Sequence, residues 1–447
     1  MSRALYSLLL RLALPAQVLR YTWRGARNPA NRGSLRSHLA LDLVPRADHP
    51  LWLHAASVGE VQSLAPLVRQ LRAALPALPL LVTVGTATGL ARARQLWGQW
   101  AGPGLLPAPW DLPGAARRFI DAVQPRAAVF VETELWPNLL HQASLTGIPL
   151  LLASARVSGR SAARYRRWAT ALMRDTTRAF TRIGAQTAAD RERFISLGAQ
   201  PQAVECWGNL KFDFVPPPGT AAQGRALRSM FAPDRPMWVA GSTHSGEEEA
   251  CLSAHASLQA GARARGASTP LLVIAPRRPE RFEEVARLVA ARGFSLRRHS
   301  DRASVTPPPA ADVLLVDQLG ELLPYYAAAD AAFVGGSLVP VGGHNLLEPA
   351  ALGKPVLAGP HTGNAPDVAA RLRSVGGLAI VEGAGSLAGA LGELLGDAAL
   401  ARRRGDAAAA VVAANGGATT RALEAISAEL ARREQPGGFP PAPSASC

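Results

Sequence analysis

The chain has 447 residues, 48% of them apolar and 18% charged, which is too long for one ordinary core and too apolar for a disordered chain. Its 48 Lys plus Arg against 33 Asp plus Glu give a net charge of +15, narrowing the partners to nucleic acid, anionic lipid or a negatively charged substrate. The three scattered cysteines (Cys206, Cys251, Cys447) and nine histidines offer neither a disulfide framework nor metal-ligand spacing.

In chain order, residues 1–41 come first, with seven arginines (Arg3, Arg11, Arg20, Arg24, Arg27, Arg32, Arg36) and no acid. Within them Ala4–Leu19, ALYSLLLRLALPAQVL, has 16 residues with Arg11 near the middle, short of the ~20 apolar residues a spanning helix needs. As a helix it gathers Leu5, Leu8, Leu9, Leu12 and Leu19 on one side. Residues 1–35 therefore read as a membrane-associating segment lying in or shallowly under an anionic lipid surface. Arg11 argues against a signal peptide. Were the segment to span, its arginine-rich flank would keep the body cytoplasmic.

Strands come next in LWLHAA (51–56), PLLVTVGT (79–86), AAVFVET (127–133), PLLLASARV (149–157) and RIGAQT (182–187), separated by Ala/Leu/Arg-rich helical stretches. This alternation predicts parallel βαβ units over residues 36–210. Three consecutive prolines and a glycine in NLKFDFVPPPGTAAQGRALRSMFAPDR (209–235) mark a hinge. A second series then runs through 236–242, 270–276, 311–317, 331–337, 355–360 and 377–382, so that residues 211–435 form another Rossmann-like half. Pro307–Pro309 mark a surface loop, and 436–447 read as a disordered tail. The fold class is α/β: two Rossmann-like domains facing a cleft, with ligands expected beyond the strands' carboxyl ends.

Neither half carries a good G-x-G-x-x-G after its first strand, nor a P-loop or a D-x-D. The residues just beyond each strand's end are therefore the place to seek chemistry. In HAASVGEV, Glu60 sits three residues after Ser57. Two readings stand: a capping box, which the local sequence favours, or a catalytic acid or base. VETELWPNLL ends a strand with Glu132, Glu134 and Trp136, and Lys211 in NLKFD is a candidate partner for those acids. GSTHSGEEE opens a helix after the second half's first strand, where hydroxyls and amides can cradle an anion, or Ser245 and Glu248 form a plain capping box. APRRPERF puts Arg277 and Arg278 at a strand end, with planar donors suited to phosphate or carboxylate. QLGELLPYY starts a helix with Gly320 leaving its backbone open. In FVGGSLVPVGGHNLLEP the glycines let amides approach a phosphate, and Glu348, three residues into a helix starting near Asn345, either accepts from ribose hydroxyls or pairs with Asn345 as a cap.

Together HAASVGEV, VETELWPNLL, ASARVSGRSA, GNLKFDF, GSTHSGEEE, APRRPERF and GGSLVPVGGHNLLEPAALGKPVLAGPHTGN resemble, in order, the 3-deoxy-D-manno-octulosonic acid (Kdo) transferases over about residues 1–430. The resemblance implies a metal-independent inverting glycosyltransferase of the two-Rossmann (GT-B) type, without cofactor, moving Kdo from CMP-Kdo to a lipid A precursor at the inner membrane's cytoplasmic face. It implies Glu60 as general base, Glu132 and Lys211 as transition-state stabilisers, and Pro276, Arg277, Leu319, Gly320, Glu321, Asn345, Leu346, Leu347 and Glu348 as CMP-binding residues. Ala365-Pro366 stands where relatives often have an aromatic. The donor's two anions and an anionic lipid surface account for the +15 charge better than nucleic acid, for which no motif appears. The rival readings are another GT-B transferase with a different nucleotide-sugar and a non-catalytic membrane-associated binding protein.

Overall fold

The computed structural model describes residues 1–27, 35–101, 104–301 and 311–434. Arg32, the Pro307–Pro309 loop, Cys447 and the tail 436–447 lie outside the described residues. The chain divides into two compact units, Met1–Asp213 with residues 415–447, and Phe214–Ala414.

The first unit is built on a seven-stranded sheet: β1 (Leu51–Ala55), β2 (Leu80–Val84), β3 (Leu105–Pro107), β4 (Ala127–Val131), β5 (Leu150–Ala155), β6 (Arg182–Ala185) and β7 (Val204–Cys206), in the order β3-β2-β1-β4-β5-β6-β7. Every neighbouring pair is parallel. All residues of β1, β2, β4 and β5 are buried because helices cover both sheet faces. Alternation along β1 sends Leu51, Leu53 and Ala55 into one core, while Trp52 packs with Phe119 and Phe130 in the other.

The sequence division assigned residues up to 435 to the second half, but the helix Ala418–Glu434 belongs to this first unit. Its Ala418, Ala422 and Ile426 join the core of β1 and the helix Val58–Ala74. The Asp213 carboxylate accepts the N–H groups of Gly417 and Thr419, and Arg421 Nε donates to Trp207 O at 2.8 Å.

The N-terminal helix runs Arg3–Arg27 with Pro15 inside it. Its inner side is tied down by polar contacts: Tyr6 Oη donates to Asp111 Oδ2 at 2.9 Å and Ser7 Oγ to Asn138 Oδ1 at 2.8 Å. Leu5, Leu8, Leu9, Leu12 and Leu19 remain exposed. Among the described residues, no helix is long and apolar enough to cross a membrane.

The second unit repeats the plan with β8 (Met237–Thr243), β9 (Leu271–Pro276), β10 (Leu296–Arg298), β11 (Val313–Leu315), β12 (Ala331–Val334), β13 (Val356–Ala358) and β14 (Leu378–Ile380), in the order β10-β11-β9-β8-β12-β13-β14, again all parallel. β8 and β12 are adjacent at the centre, so the loops leaving their carboxyl ends lie side by side.

Candidate functional site

In the first unit the candidate side chains gather where β1, β4 and β5 end. Ser57 caps the helix Val58–Ala74, its Oγ accepting from the Glu60 N–H at 3.4 Å. The Glu60 carboxylate turns back to accept the Ala56 N–H, one residue before the cap, and lies 3.4 Å from Ser57 Oγ. A cap therefore forms, with its return bond displaced from Ser57 to Ala56. Burial, chiefly, pushes the Glu60 carboxyl from 4.5 up to about 8. The like charges of Glu134 and then Glu132 add to the rise, while the Ala56 and Ser57 contacts oppose it. Such a shift protonates most of the group at neutral pH but makes its ionised form a stronger base than an ordinary carboxylate.

Glu132 follows β4 with φ +59°, the left-handed region that a residue with a Cβ adopts at a cost and that often marks a working site. Its Oε1 pairs with Lys211 Nζ at 2.7 Å, so the structure joins the strand-end acid to the lysine of NLKFD. Buried polar groups hold the Lys211 turn: Asn209 Oδ1 accepts the Lys211 N–H at 3.0 Å, and Ser154 Oγ accepts from Leu210 N–H and Gln186 Nε2 at 3.3 and 3.2 Å. Ser154, with φ +55°, sits in an irregularity of the β5–β6 pairing.

Two further side chains join this cluster: Glu134, read from the sequence only as a strand-end acid, and His54, which the sequence reading did not single out. Glu134 Oε2 accepts from Trp136 Nε1 at 2.6 Å and lies 3.3 Å from Nε2 of the buried His54. The other His54 nitrogen is 2.8 Å from Thr83 Oγ1, which also accepts from Trp52 Nε1. The available signal was a histidine inside an otherwise apolar strand, since a buried polar side chain demands partners.

In the second unit Pro276 ends β9 and is buried, whereas Arg277 is exposed and its backbone N–H donates to Thr243 O at 3.0 Å. Leu319 is exposed, Gly320 has φ +92°, and Glu321 Oε2 lies 3.6 Å from His299 Nε2 just before the helix Leu322–Ala328. The helix expected near Asn345 begins at Leu347, so Glu348 is its second residue rather than its fourth. Asn345 stands just before the N-cap, Leu346, its Oδ1 accepting from Leu347 N–H at 3.1 Å and its Nδ2 donating to Glu348 Oε1 at 3.2 Å. Leu346 and Leu347 are both 2% exposed, so their side chains are packed into the unit.

Two expectations are corrected here. The Ser245–Glu248 capping box does not form: Glu248 is buried, accepting from Thr243 Oγ1 at 2.9 Å and pairing with Arg281, while Gly246 stands at the N-cap. The amides of Gly336 and Ser337 are not open to a phosphate, because the Glu247 carboxylate takes them. Among the described residues, no group of three or more His, Cys, Asp or Glu is placed to hold a metal ion.

Comparison with known proteins bears on both units. Residues 27–214 match a family described as 3-deoxy-D-manno-octulosonic-acid transferase (kdotransferase). A 3-deoxy-D-manno-octulosonic acid transferase of Haemophilus influenzae is 39% identical, covering 86% of this chain and 87% of that protein. One from Bordetella pertussis is 38% identical over 95% of this chain and 99% of its own. Among solved structures, a UDP-GlcNAc 2-epimerase from Neisseria meningitidis bound to UDP-GlcNAc matches 85% of this chain and all of that one with a TM-score of 0.53. At 13% identity that likeness speaks for the shared fold of two Rossmann-like domains alone.

Proposed function

This chain belongs to the Kdo transferases, glycosyltransferases of lipopolysaccharide biosynthesis, and from that premise we propose how its residues carry the reaction. The donor is CMP-Kdo and the acceptor a lipid A precursor. Glu60 takes the proton of the acceptor hydroxyl as that oxygen attacks the anomeric carbon of Kdo. The bond from this carbon to the phosphate oxygen breaks on the opposite face, and CMP leaves with the bonding pair. Lys211, fixed against Glu132, offsets negative charge as the transition state forms. In the second unit the Arg277 guanidinium meets the phosphate, the backbone at Leu319–Glu321 and Asn345–Leu347 borders the nucleotide, and Glu348 accepts from its ribose.

The observation that carries this reading is the Glu60 carboxyl itself. It stands beyond β1, is lifted to about 8, and shares its surroundings with two more acids. A plain surface cap would be ionised throughout the neutral range and a poor base. The test is full-length Glu60→Gln with CMP-Kdo and a lipid A precursor, product being followed by mass spectrometry. Transfer is expected to fall by about 10²-fold or more with CMP binding retained; near wild-type turnover would remove Glu60 as the base.

The enzyme works at the cytoplasmic face of the inner membrane, with its first helix lying in the lipid interface. Supporting this, Leu12 and Leu19 are each 70% exposed, and the Met1 ammonium donates to Trp168 O at 3.1 Å. That contact continues the apolar side to the exposed Trp168 and the exposed Arg164, Arg166 and Arg167. Apolar and arginine-rich surfaces side by side suit anionic lipid.

A further inference from the structure

Glu247 is fully buried, yet none of the chemistry above uses it. Its two carboxylate oxygens receive four backbone N–H groups from two different loops. Oε2 accepts from His244 at 2.9 Å and Gly336 at 2.7 Å, and Oε1 from Ser337 at 3.0 Å and Leu338 at 2.9 Å. These loops leave the adjacent strands β8 and β12 at their carboxyl ends, where folds of this kind hold a ligand's phosphate. The chain fills that nest with a carboxylate of its own. Gly335 makes the approach possible: a Cβ there would lie 2.6 Å from Ser242 O and 2.9 Å from Glu247 Oε2.

Both loops connect to proposed donor contacts, one through a backbone bond and the other along the chain. On one side His244 follows Thr243, whose carbonyl accepts the Arg277 N–H at 3.0 Å. On the other, Gly343 N–H donates to Gly336 O at 2.7 Å and His344 N–H to Gly335 O at 3.1 Å, closing the loop just before Asn345. The two sides also touch through His244 and His344, whose rings stack with Nε2 atoms 2.8 Å apart. Four amides turned toward one buried anion fix both backbones before any ligand arrives.

We propose that Glu247 is the positioning residue of the nucleotide-donor site: a built-in anion that locks the β12 loop leading to Asn345–Glu348 and the end of β8, to which the Arg277 backbone is bonded, into their binding arrangement. This rests on the donor assignment above. A ligand meeting loops already ordered is spared the entropy of ordering them, so losing the lock weakens binding more than it slows turnover of bound donor.

The experiment compares the full-length wild type, Glu247→Gln, Glu247→Asp and a core control, Val273→Ala, by calorimetric titration with CMP and by steady-state kinetics with CMP-Kdo. Glu247→Gln, whose amide presents N–H to N–H, is expected to raise the CMP Kd and the donor KM about tenfold or more, with kcat changed by less than about threefold. Val273→Ala, chosen for a comparable fall in melting temperature, keeps the wild-type CMP affinity. Should the Gln variant not fold, Glu247→Asp keeps the charge but retracts it from one loop, and its CMP affinity falls as well. A folded variant at position 247 with unchanged Kd and KM overturns the proposal, as does a loss that Val273→Ala reproduces. If wild-type protein binds no CMP, the donor reading fails, and hydrogen exchange at the Gly336–Leu338 amides then decides. Exchange that Glu247→Gln does not accelerate overturns the lock itself.

Discussion

Replacing Glu134 by Gln is expected to move the acid limb of the kcat/KM–pH profile about one unit toward lower pH. The substitution is nearly isosteric. A glutamine carbonyl oxygen can still accept from Trp136 Nε1, now at 2.6 Å, and face His54 Nε2 at 3.3 Å, so what is removed is charge. Burial is the largest cause holding the Glu60 carboxyl at about 8, with the Glu134 charge next. Burial survives the substitution, and most of the rise with it. A carboxyl titrating at about 8 is ionised in roughly a tenth of molecules at pH 7, and one titrating a unit lower in about half. That is about fivefold more base, partly offset because a weaker base accepts a proton less readily. Transfer to a lipid A precursor, measured at low CMP-Kdo across about pH 5.5 to 9, should therefore rise about two- to fivefold near pH 7 and not rise at the alkaline end. A folded Glu134→Gln enzyme whose acid limb stays put, or shifts upward, refutes the electrostatic argument.

The same perturbed group predicts a stability effect. A carboxyl whose folded pKa is raised costs stability progressively as pH climbs from its ordinary 4.5 to about 8. Glu60→Gln should therefore stabilise the fold by on the order of 2–4 kcal/mol at pH 8.5 but not at about pH 4; an equal gain over wild type at both pH values, in denaturant unfolding, would contradict it. Arg277→Ala, at an exposed guanidinium, should weaken CMP about tenfold with the melting temperature unchanged, and calorimetry showing wild-type affinity would take Arg277 out of the site. Asp213→Ala deprives the Gly417 and Thr419 amides of their acceptor and should cost about 2–3 kcal/mol in denaturant unfolding; a loss below about 0.5 kcal/mol would mean the clasp contributes little. Leu8→Asp with Leu12→Asp should release the protein from anionic vesicles while leaving turnover of a detergent-dispersed acceptor intact, and undiminished co-sedimentation would contradict the interfacial helix.

How much was legible depends on where the strands lie. β1, β4, β9 and β12 are buried along their whole length, so each is written as an unbroken apolar run that sequence reading finds. β3, β7 and β10 were missed: each has three residues, lies at a sheet edge and is only partly buried, leaving no run or alternation long enough to register. Glu60, Glu132 and Arg277 stand out because charged residues are conspicuous at the ends of such runs, whereas Lys211 lies after the short β7 and is singled out as a candidate partner for the strand-end acids. Nothing local announces that Glu132 takes a left-handed backbone, or that Glu247 reaches amides about ninety residues away at Gly336–Leu338. GEEE shows three acids at a helix start, which helix dipoles make ordinary; only the tertiary fold distinguishes the buried pair Glu247 and Glu248.

The base role proposed for Glu60 does not exclude its cap, because one conformation serves both. Folding the carboxylate back over the Ala56 amide is what buries it beside Glu134 and Glu132, and burial with those charges raises its proton affinity. The same Ala56 bond stabilises the ionised form and holds that affinity down. The basicity of Glu60 is thus the difference between two effects of one conformation.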